Sequence, residues 1–510
     1  MALGSILAAR FLGSEAYGLY SLSLVAPMLL ASIIGLGLDS AAIRFPAKYR
    51  AEERYGHILV MMRSALTFRL VTGVAASLLC FISSDFLASS LLNRPELGFY
   101  VKMVSALVLF QTLFFITYNF FIGLESVEKA SILKALMSIV KASSSPVLII
   151  LGLGVSGAII GHVLGYLVAS VIGLLMLYLG NYRSLKSAIR HEQAAEENSN
   201  FIGHVRLMIG YGFPLYILSM LTLLLGQYQF ILLAHYASDI EIGSFQAVLN
   251  LSSILTVLIV PITTSLFPAF SKLESTKALQ ELERFLNLSI RYSSLIIIPV
   301  TILVMSLSTE LVNVIYGADY KLATLYLPIY ISIFLSTGLG CRIMESFFNG
   351  IGETKLTLKI YLANLAIFIP LAPILTKFYG IPGFIVALLA SNLASTLYGL
   401  ALAKRKLQVN IGLTGQLKIY ISSILSALPT LVFLQFSNLT NILNLLIASA
   451  IFLITYFTLT PILKSVNQSD LQNLKQIFEK IRVLWPIIKL AIDYEGKILA
   501  IIVHLNKKGN

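Results

Sequence analysis

Long apolar stretches alternate with short polar segments along almost the whole chain. Each stretch is continuous and about 20 residues long, which is what a helix needs to cross the roughly 30 Å hydrocarbon core of a bilayer. The strands of a membrane barrel would instead alternate over segments of about 10 residues. The pattern therefore predicts an all-α, polytopic membrane helix bundle of about 14 transmembrane helices, over residues 1–13, 18–38, 66–91, 101–123, 131–152, 157–180, 207–235, 243–268, 292–316, 323–348, 356–377, 381–403, 417–436 and 442–463.

The composition supports a protein that faces lipid. Of its 510 residues, 57% are hydrophobic and 12% are charged, whereas soluble domains carry about 25% charged residues. The formal net charge is +13, but the basic residues lie between apolar stretches, so we expect no nucleic-acid partner. Cys80 and Cys341 lie within apolar stretches and no metal-ligand spacing occurs, so we expect no metal and no cofactor. No cationic segment precedes the first apolar stretch, which argues against a cleaved signal peptide.

The distribution of Lys and Arg predicts an orientation. Loops after even-numbered helices hold 21 of them, loops after odd-numbered helices hold 5, and the tail from Lys464 holds 8. Cytoplasmic loops of membrane proteins are enriched in Lys and Arg. We therefore predict a multi-pass protein of the cell membrane, with the even loops and the C-terminus in the cytoplasm.

The last 46 residues, 465–510, have a different pattern. Apolar residues recur there at helical spacing with basic residues among them, followed by Trp485. This predicts an amphipathic helix on the inner membrane surface, with a loosely ordered tail as the alternative. The apolar positions are Leu471, Leu474, Ile477, Phe478 and Ile481, and the basic ones are Lys475, Lys480 and Arg482.

Four short matches recur in the same order at a nearly constant offset, which indicates an internal repeat. The unit spans six helices, so both copies share one orientation, as in transporters built from parallel repeats. The repeat predicts an N-lobe over residues 1–206, a C-lobe over 207–405, helices 13 and 14 over 406–464, and a cytoplasmic tail over 465–510. The matched pairs are Gly18 with Gly243 (offset 225), Phe45–Ala47 with Phe267–Ala269 (222), Phe120–Gly123 with Phe347–Gly350 (227), and Gly154–Gly157 with Gly380–Gly383 (226).

The repeat also pairs Arg10 with His235. Nearly 30 residues of apolar helix precede His235, whereas nine residues precede Arg10. The stretch Met1–Gly13 covers roughly 20 Å at 1.5 Å per residue, which is short of a full span. We therefore predict that the first helix is truncated.

Two lysines in helix 5 are candidates for binding substrate. A charged side chain at the bilayer centre costs about 2.5–3.5 kcal/mol or more, so it usually faces a cavity or a partner. Lys141 lies near the middle of the helix, next to Ala142–Ser145, and Lys134 lies seven residues earlier on the same face. Such a cationic face suits a phosphate or pyrophosphate group. The alternative is a lysine whose chain reaches the membrane surface.

Four further charged residues lie in or near predicted spans and are also substrate-binding candidates. Arg342 and Glu345 stand three residues apart near the cytoplasmic end of helix 10, so they can pair on one helix face. An interfacial ion pair is the alternative for them. Arg69 lies near the inner end of helix 3 and Arg10 in helix 1, where each either lines a cavity or reaches the membrane surface.

Other polar residues suggest gating or packing. Asp39 and Arg44 flank the inner end of helix 2 and are candidate gate residues, with solvated loop charges as the alternative. His162 lies within a span, where it serves either in a proton relay or in helix packing. Asp85 and Glu310 lie near outer helix ends and are expected to be interfacial.

Ordered motifs over residues 1–405 resemble the polysaccharide flippases, which are Wzx-type members of the multidrug/oligosaccharidyl-lipid/polysaccharide exporter superfamily. The resemblance implies two six-helix lobes around a central cavity that opens to alternate sides. It also implies transfer of lipid-linked oligosaccharides from the cytoplasmic to the outer leaflet, with membrane lipids and glycan-assembly enzymes as partners. One departure is Gln227-Tyr228-Gln229, where relatives often place an acidic residue, which puts an acid-based coupling role there in doubt. The motifs are ARFLGSEAYGLYSL (9–22), Gly35-Leu36, YGFPLYI (211–217), LFPAFSKL (266–273), IYGADYKLA (315–323) and FFNGIGETK (347–355).

Three other functions are weighed against transport of a lipid-linked glycan. A cation-coupled exporter of small amphiphiles predicts buried acids within the spans, and these are scarce. A membrane-embedded glycosyltransferase or glycan polymerase needs an acidic catalytic constellation, usually on a sizeable outer loop, and the outer loops here are roughly 4–12 residues long. A scaffold without transport would leave the paired repeat unexplained. Because no P-loop and no catalytic constellation is encoded, we expect a transporter and not an enzyme.

Overall fold

The structure is a computed structural model that describes residues 2–188, 201–275, 279–409, 412, 414–479 and 485–508. Within these ranges the chain forms helices and no strand, which confirms the predicted all-α bundle. Shorter 3₁₀ or π turns occur at Leu87–Leu91, Pro95–Leu97, Ile149–Leu153, Leu177–Tyr182, Ala318–Tyr320 and Ser332–Leu339. The α-helices are α1 (Ala2–Ser23), α2 (Val25–Ile33), α3 (Leu38–Ala51), α4 (Tyr55–Ile82), α5 (Ser84–Phe86), α6 (Gly98–Gly123), α7 (Val127–Leu148), α8 (Gly154–Met176), α9 (Arg183–Ala188), α10 (Phe201–Tyr236), α11 (Asp239–Ser275), α12 (Leu279–Ser306), α13 (Ser308–Ile315), α14 (Lys321–Ile331), α15 (Cys341–Gly350), α16 (Thr354–Leu407), α17 (Thr414–Phe436), α18 (Asn441–Ile462), α19 (Gln468–Phe478) and α20 (Trp485–Lys508).

The chain forms two compact units. Unit 1 comprises Met1–Ala247 and unit 2 comprises Val248–Asn510, so the boundary lies inside α11. In unit 1, α6, α7 and α8 pack closely on one another, and α10 packs on α2, α3 and α4. In unit 2, α17 packs on α12 and α18. The lobe boundary predicted at residue 206 stays a prediction, because it rests on sequence offsets and not on contacts.

Ten segments of the described chain are long and apolar enough to cross a membrane, so this is a multi-pass membrane protein. Two of them, Val127–Ser187 and Thr354–Leu407, are 61 and 54 residues long. Each contains a glycine with non-helical backbone angles, Gly152 in the first and Gly380 in the second. A single span needs only about 20 residues, so each long segment has room for two of the predicted helices. The exact count of 14 stays a prediction.

The repeat inferred from sequence recurs in the backbone. Gly154 has φ 51° and ψ −130°, and Gly380, 226 residues later, has φ 60° and ψ −143°. Residues with a side chain rarely adopt such angles, so glycine is required at both turns. The turns after α6 and α15 also match: Ser126 N donates to Phe121 O at 2.8 Å, and Glu353 N donates to Phe348 O at 2.8 Å.

A close helix crossing in unit 1 involves a second matched glycine pair. A Cβ atom on Gly18 would overlap the carbonyl oxygen of Asp239, and one on Gly243 would overlap that of Ser14. Ser14 and Asp239 are themselves 225 residues apart, so the two contacts are reciprocal. Arg94 lies at the same place, with Nη2 donating to Ala237 O at 2.6 Å. The absence of a Cβ atom therefore lets α1 approach the start of α11 closely.

The tail contains two helices, α19 and α20. Asn467 and Asp470 form a capping box at the start of α19, which explains why the helix begins there. Leu471 is buried in a core cluster with residues of α12, α17 and α18, so this part of the apolar face packs on protein. The prediction of an amphipathic helix also rests on Lys480, Ile481 and Arg482, which lie outside the described residues. The side chains of Ile477 and Phe478 are not described either.

Candidate functional site

A cavity of about 510 Å³ lies within unit 2, between α11 and α15. Its volume falls in the range typical of small-ligand pockets, about 300–1,000 Å³. The wall combines hydroxyl, amide and charged groups with apolar side chains. It is formed by Thr256, Ile259, Val260, Thr263, Thr264, Phe267, Phe334, Arg342, Glu345, Ser346 and Asn349.

The sequence of α15 explains why its polar side reaches the cavity. Positions 342, 345, 346 and 349 follow i, i+3, i+4, i+7 spacing and therefore share one face of the helix. The opposite face carries Ile343, Met344, Phe347 and Phe348, which are buried in the core of unit 2. Burial of the apolar face against neighbouring helices thus turns the charged face toward the cavity.

Hydrogen bonds fix the cavity wall. Ser346 Oγ donates to Thr263 O at 2.9 Å and so joins α15 to α11. Asn349 Oδ1 accepts a hydrogen bond from Thr357 Oγ1 at 2.8 Å. The first contact joins the two walls of the cavity, and the second joins α15 to α16.

Arg342 and Glu345 both line this cavity, and both side chains are exposed. In the described part of the chain no ion pair within 4.0 Å joins them, although they stand three residues apart on α15. The guanidinium group therefore offers hydrogen-bond donors, and the carboxylate offers acceptors, to a molecule in the cavity.

A polar cluster lies inside unit 1, where α1, α7 and α8 meet. Tyr20 Oη lies 2.7 Å from His162 Nδ1, and Lys141 Nζ lies 3.4 Å from His162 Nε2. Tyr20 and His162 are buried, and Lys141 is half-buried. Tyr166 stacks on the imidazole at 5.7 Å between ring centroids. Close packing at Gly165, where a Cβ would press against Lys141 Cβ, brings α8 near enough for these contacts.

The chemistry of this cluster limits its charge. An ammonium group can only donate, so a charged Lys141 requires His162 Nε2 to be unprotonated and to accept. His162 Nδ1 then carries the proton and donates to Tyr20. If the imidazole is protonated on both nitrogens, Lys141 must be neutral to accept. Lys141 and His162 therefore carry at most one positive charge between them. The structure places His162 in the packing between α1, α7 and α8, and its role in a proton relay stays a prediction.

The structure pairs two residues that the sequence placed in separate roles. Arg69 Nη2 donates to Asp39 Oδ2 at 2.7 Å. Arg69 is buried, with 2% of its side chain exposed, whereas 40% of the Asp39 side chain is exposed. Arg44 is not part of this pair. Its guanidinium lies 4.1 Å from the centroid of the Tyr211 ring, a cation–π contact between α3 and α10.

The remaining predicted site residues lie apart from these groups. Lys134 and Arg10 are exposed on α7 and α1. Asp85 is exposed and pairs with Lys102 at 2.8 Å. The structure thus brings together Arg342 with Glu345, Lys141 with His162, and Asp39 with Arg69, but it does not form one site from all the predicted residues.

Tyr20, Tyr216 and the threonines of α11 contribute to these groups but are not predicted from the sequence. Tyr216 Oη lies 2.9 Å from both Ser32 O and Ile33 O, a contact across more than 180 residues. The residues around Thr263 and Thr264 have the pattern of an ordinary apolar helix. The two threonines lie seven and eight residues after Thr256 and therefore on the same helix face, and this spacing is the sequence signal for a polar wall.

Comparison with known proteins places this architecture in a family. Residues 2–274 match the model of the polysaccharide biosynthesis protein family, whereas the comparison with curated proteins gave no match. Among solved structures, the lipid II flippase MurJ in an inward closed conformation aligns over 90% of this chain and 95% of its own, with a TM-score of 0.71 and 16% identity. An inward-facing MATE family transporter of the MOP superfamily aligns over 80% and 93%, with a TM-score of 0.64 and 17% identity. A MOP superfamily transporter from Pyrococcus furiosus aligns over 80% and 91%, with a TM-score of 0.53 and 18% identity.

At these identities the solved structures show a shared fold of the MurJ and MATE type. The family model is more specific, because it matches residues 2–274 of the 510 in the chain. The chain belongs to the polysaccharide biosynthesis protein family.

Proposed function

We propose that this protein flips lipid-linked oligosaccharides from the cytoplasmic to the outer leaflet of the cell membrane. The observation that carries the proposal is the unit 2 cavity, whose hydroxyl, amide and charged groups lie within a membrane-spanning unit. Membership of the polysaccharide biosynthesis family supports a glycan substrate. The MurJ fold supports movement of a lipid-linked substrate.

The physical task explains why such a cavity is needed. A phosphorylated glycan cannot cross about 30 Å of hydrocarbon unaided, because its polar groups would lose their hydrogen bonds to water. Threonine hydroxyls and Asn349 replace some of those bonds for sugar hydroxyls, and Arg342 suits an anionic group. The polyprenyl tail stays in lipid throughout. No bond is made or broken, so the proposed transporter is not an enzyme.

Arg342 provides the first test. Arg342→Ala should lower the rate at which a polyprenyl-pyrophosphate oligosaccharide crosses reconstituted vesicles by about tenfold or more, because a charged hydrogen bond contributes about 1.5–3 kcal/mol. Thr264→Val should have a smaller effect, since it removes one hydroxyl and keeps the shape. Arg405→Ala is the matched control, because Arg405 is an exposed arginine at the end of α16. A wild-type rate in Arg342→Ala would contradict the assignment of this cavity.

A second candidate function is cation-coupled export of small amphiphiles. The specific observation in its favour is the buried cluster of Tyr20, Lys141 and His162, which is arranged to exchange a proton. Lys141 also remains a proposed ligand for the phosphate linkage of a lipid-linked glycan, with Lys134, Arg10 and Arg69 as weaker proposals.

Lys141→Met separates these two roles. If Lys141 binds phosphate, translocation of the lipid-linked oligosaccharide should be lost with and without an imposed pH gradient. If Lys141 serves proton coupling, only the acceleration by the gradient should be lost. Lys134→Met is the control, because Lys134 is exposed on the same helix. Unchanged transport in Lys141→Met under both conditions would exclude both roles.

The orientation belongs to the same proposal. The excess of Lys and Arg in the even loops supports a cytoplasmic C-terminus, and glycan-assembly enzymes are the proposed partners on that side. A reporter that matures only in the cytoplasm, fused after Asn510, should be active. Activity of an outer-side reporter at the same position would contradict the orientation.

A further inference from the structure

The two tail helices are joined to the membrane helices of unit 2 by specific contacts. Arg291 Nη2 on α12 donates to Asp470 Oδ2 on α19 at 2.7 Å. Thr460 Oγ1, at the end of α18, lies 2.5 Å from Glu495 Oε1 on α20. Ser465, which precedes α19, contacts Ser422 of α17 at 2.8 Å. Apolar side chains complete the docking surface, among them Leu471, Ile492 and Leu499. The tail thus connects α12, α17 and α18.

Two buried acids in this surface have different surroundings. Asp470 and Glu495 are 3% and 4% exposed. Asp470 has the guanidinium of Arg291 as counter-ion and the capping box as a source of further hydrogen bonds. For Glu495, the structure gives a neutral hydroxyl, and no cation lies within 4.0 Å among the described residues. A carboxyl group buried without a cation favours its protonated form.

The hydroxyl group of Thr460 makes different hydrogen bonds in the two protonation states of Glu495. It lies 2.5 Å from Glu495 and 3.0 Å from the carbonyl oxygen of Tyr456, but it has one proton to donate. A neutral Glu495 donates to Thr460, which then donates to Tyr456, so both hydrogen bonds form. An ionised Glu495 can only accept a hydrogen bond from Thr460, and the hydroxyl group then no longer donates to Tyr456.

Among the described residues, the titratable groups that face Glu495 are Asp470 on α19 and Tyr456 on α18. Neither favours a negative charge on Glu495. Burial raises the pKa of Glu495 from an ordinary value of 4.5 to about 7, the hydrogen bond from Thr460 lowers it, and the Asp470 carboxylate raises it. Burial and the Asp470 carboxylate therefore outweigh the hydrogen bond from Thr460, and the carboxyl group favours its protonated form.

We propose that α20 is a latch that docks on α18 when Glu495 is protonated and is released when Glu495 ionises. Because the pKa is raised in the docked state, docking is strongest below the ordinary value of 4.5 and weakens as the pH rises to about 7. Above that value both states are ionised and the dependence ends. The docking constant should fall by about tenfold per pH unit across this window, on the order of 300-fold in all.

Amide hydrogen exchange of α20 in the full-length protein tests the latch. Exchange reports rare opening events, so it remains sensitive even when nearly all molecules are docked. Between pH 5 and pH 8, protection factors of the wild-type α20 amides, corrected for intrinsic exchange rates, should fall on the order of 50- to 100-fold. In Glu495→Gln, a neutral side chain of the same shape, protection should stay high and independent of pH. Acrylamide quenching of Trp485, the one tryptophan of the chain, gives a second readout at the start of α20.

Asp493→Asn is the matched control, because Asp493 is an exposed acid on the same helix. It should keep the wild-type pH dependence. A pH dependence that persists in Glu495→Gln, or a wild-type protection that is flat from pH 5 to pH 8, would overturn the latch. Loss of the dependence in Asp493→Asn would also overturn it, since the effect would then follow the net charge of the tail and not the buried carboxyl group.

Discussion

The two copies of the repeat form the same helix in different ways. In the second copy, α11 runs without interruption from Asp239 to Ser275. In the first copy, the corresponding stretch is divided between α1, α2 and α3, with a turn between Ile33 and Leu38. Leu36 has φ 46° and Gly37 has φ 80° in this turn. A residue such as leucine with positive φ costs about 1–3 kcal/mol, so the surrounding structure must stabilise the break.

Side chains from two other helices stabilise it. Arg69 of α4 donates to Ile34 O at 3.3 Å, and Tyr216 of α10 lies within hydrogen-bonding distance of Ser32 O and Ile33 O. Carbonyl groups at a helix end lose their i+4 partners, and here Ser32 O also accepts from Gly35 N at 3.0 Å. Asp39, in the first turn of α3, neutralises Arg69.

The second copy does not repeat this ion pair. At the offset of 222, which applies at Phe45, Arg69 corresponds to Arg291 and Asp39 corresponds to Pro261. Arg291 pairs instead with Asp470 on the tail helix α19. Conversely, Arg342 and Glu345 of the second copy correspond to Phe115 and Tyr118 at the offset of 227. The comparison teaches that charge serves different purposes in the copies: in the first it supports a broken helix, and in the second it lines a cavity.

Removal of the counter-ion should have the largest effect on stability. Asp39→Asn leaves the buried Arg69 without its counter-ion and should lower the free energy of unfolding by about 3 kcal/mol. This value is near the lower end of the range for broken buried ion pairs, since the Asp39 side chain is partly exposed. Thermal unfolding of the purified protein in detergent measures it. The double variant Asp39→Asn/Arg69→Met should recover part of the loss, since it leaves no unpaired charge.

An exposed ion pair in the same region is the control for that experiment. Glu52 lies 3.7 Å from Lys48 on α3 and 3.6 Å from Arg54, and all three side chains are solvent-exposed. Glu52→Gln should therefore cost at most about 1 kcal/mol. An equal loss in Asp39→Asn and Glu52→Gln would show that the ion pair at the break has no special role.

The turn itself is the next target. Gly37→Ala places a side chain at φ 80° and brings its Cβ into the backbone of Gly212, so it should cost about 1–3 kcal/mol. Gly210→Ala is the matched control, because Gly210 lies nearby on α10 with no atom within 4 Å of the added Cβ. That control should be neutral or slightly stabilising, since alanine favours helix. If both variants unfold at the same temperature, glycine is not required for the break.

Features that depend on local pattern could be predicted from the sequence. The all-α bundle follows from the length of the apolar stretches, and the repeat follows from short matches such as those at Gly154 and Gly380. The backbone angles at these glycines agree with that repeat. The ends of helices also carried local signals, such as the Asn467–Asp470 capping box.

Partnerships across the chain could not be predicted in the same way. The sequence places Asp39 and Arg69 near the inner ends of helices, but their pairing depends on how α3 and α4 pack. Tyr20 and His162 are 142 residues apart, and nothing in the pattern around Tyr20 distinguishes it from a tyrosine facing lipid. The cavity is formed by α11 and α15 together. The sequence therefore indicates Arg342 and Glu345 as charged residues, but it does not indicate the threonines of α11 that lie beside them.

The smallest expected effect concerns the carbonyl groups at the break. Tyr216→Phe removes one hydroxyl group that lies 2.9 Å from both Ser32 O and Ile33 O, and the ring can stay in place. Loss of one such hydrogen bond should lower the free energy of unfolding by about 0.5–1.5 kcal/mol. Tyr379→Phe is the control, because 68% of Tyr379 is exposed and the same atom change should have little effect there. If Tyr216→Phe proves as neutral as the control, water satisfies these carbonyls equally well and the broken helix depends on Arg69 alone. A loss of stability confined to Tyr216→Phe would instead show that α10 helps to stabilise the break between α2 and α3. The uninterrupted helix α11 of the second copy has no such break to stabilise.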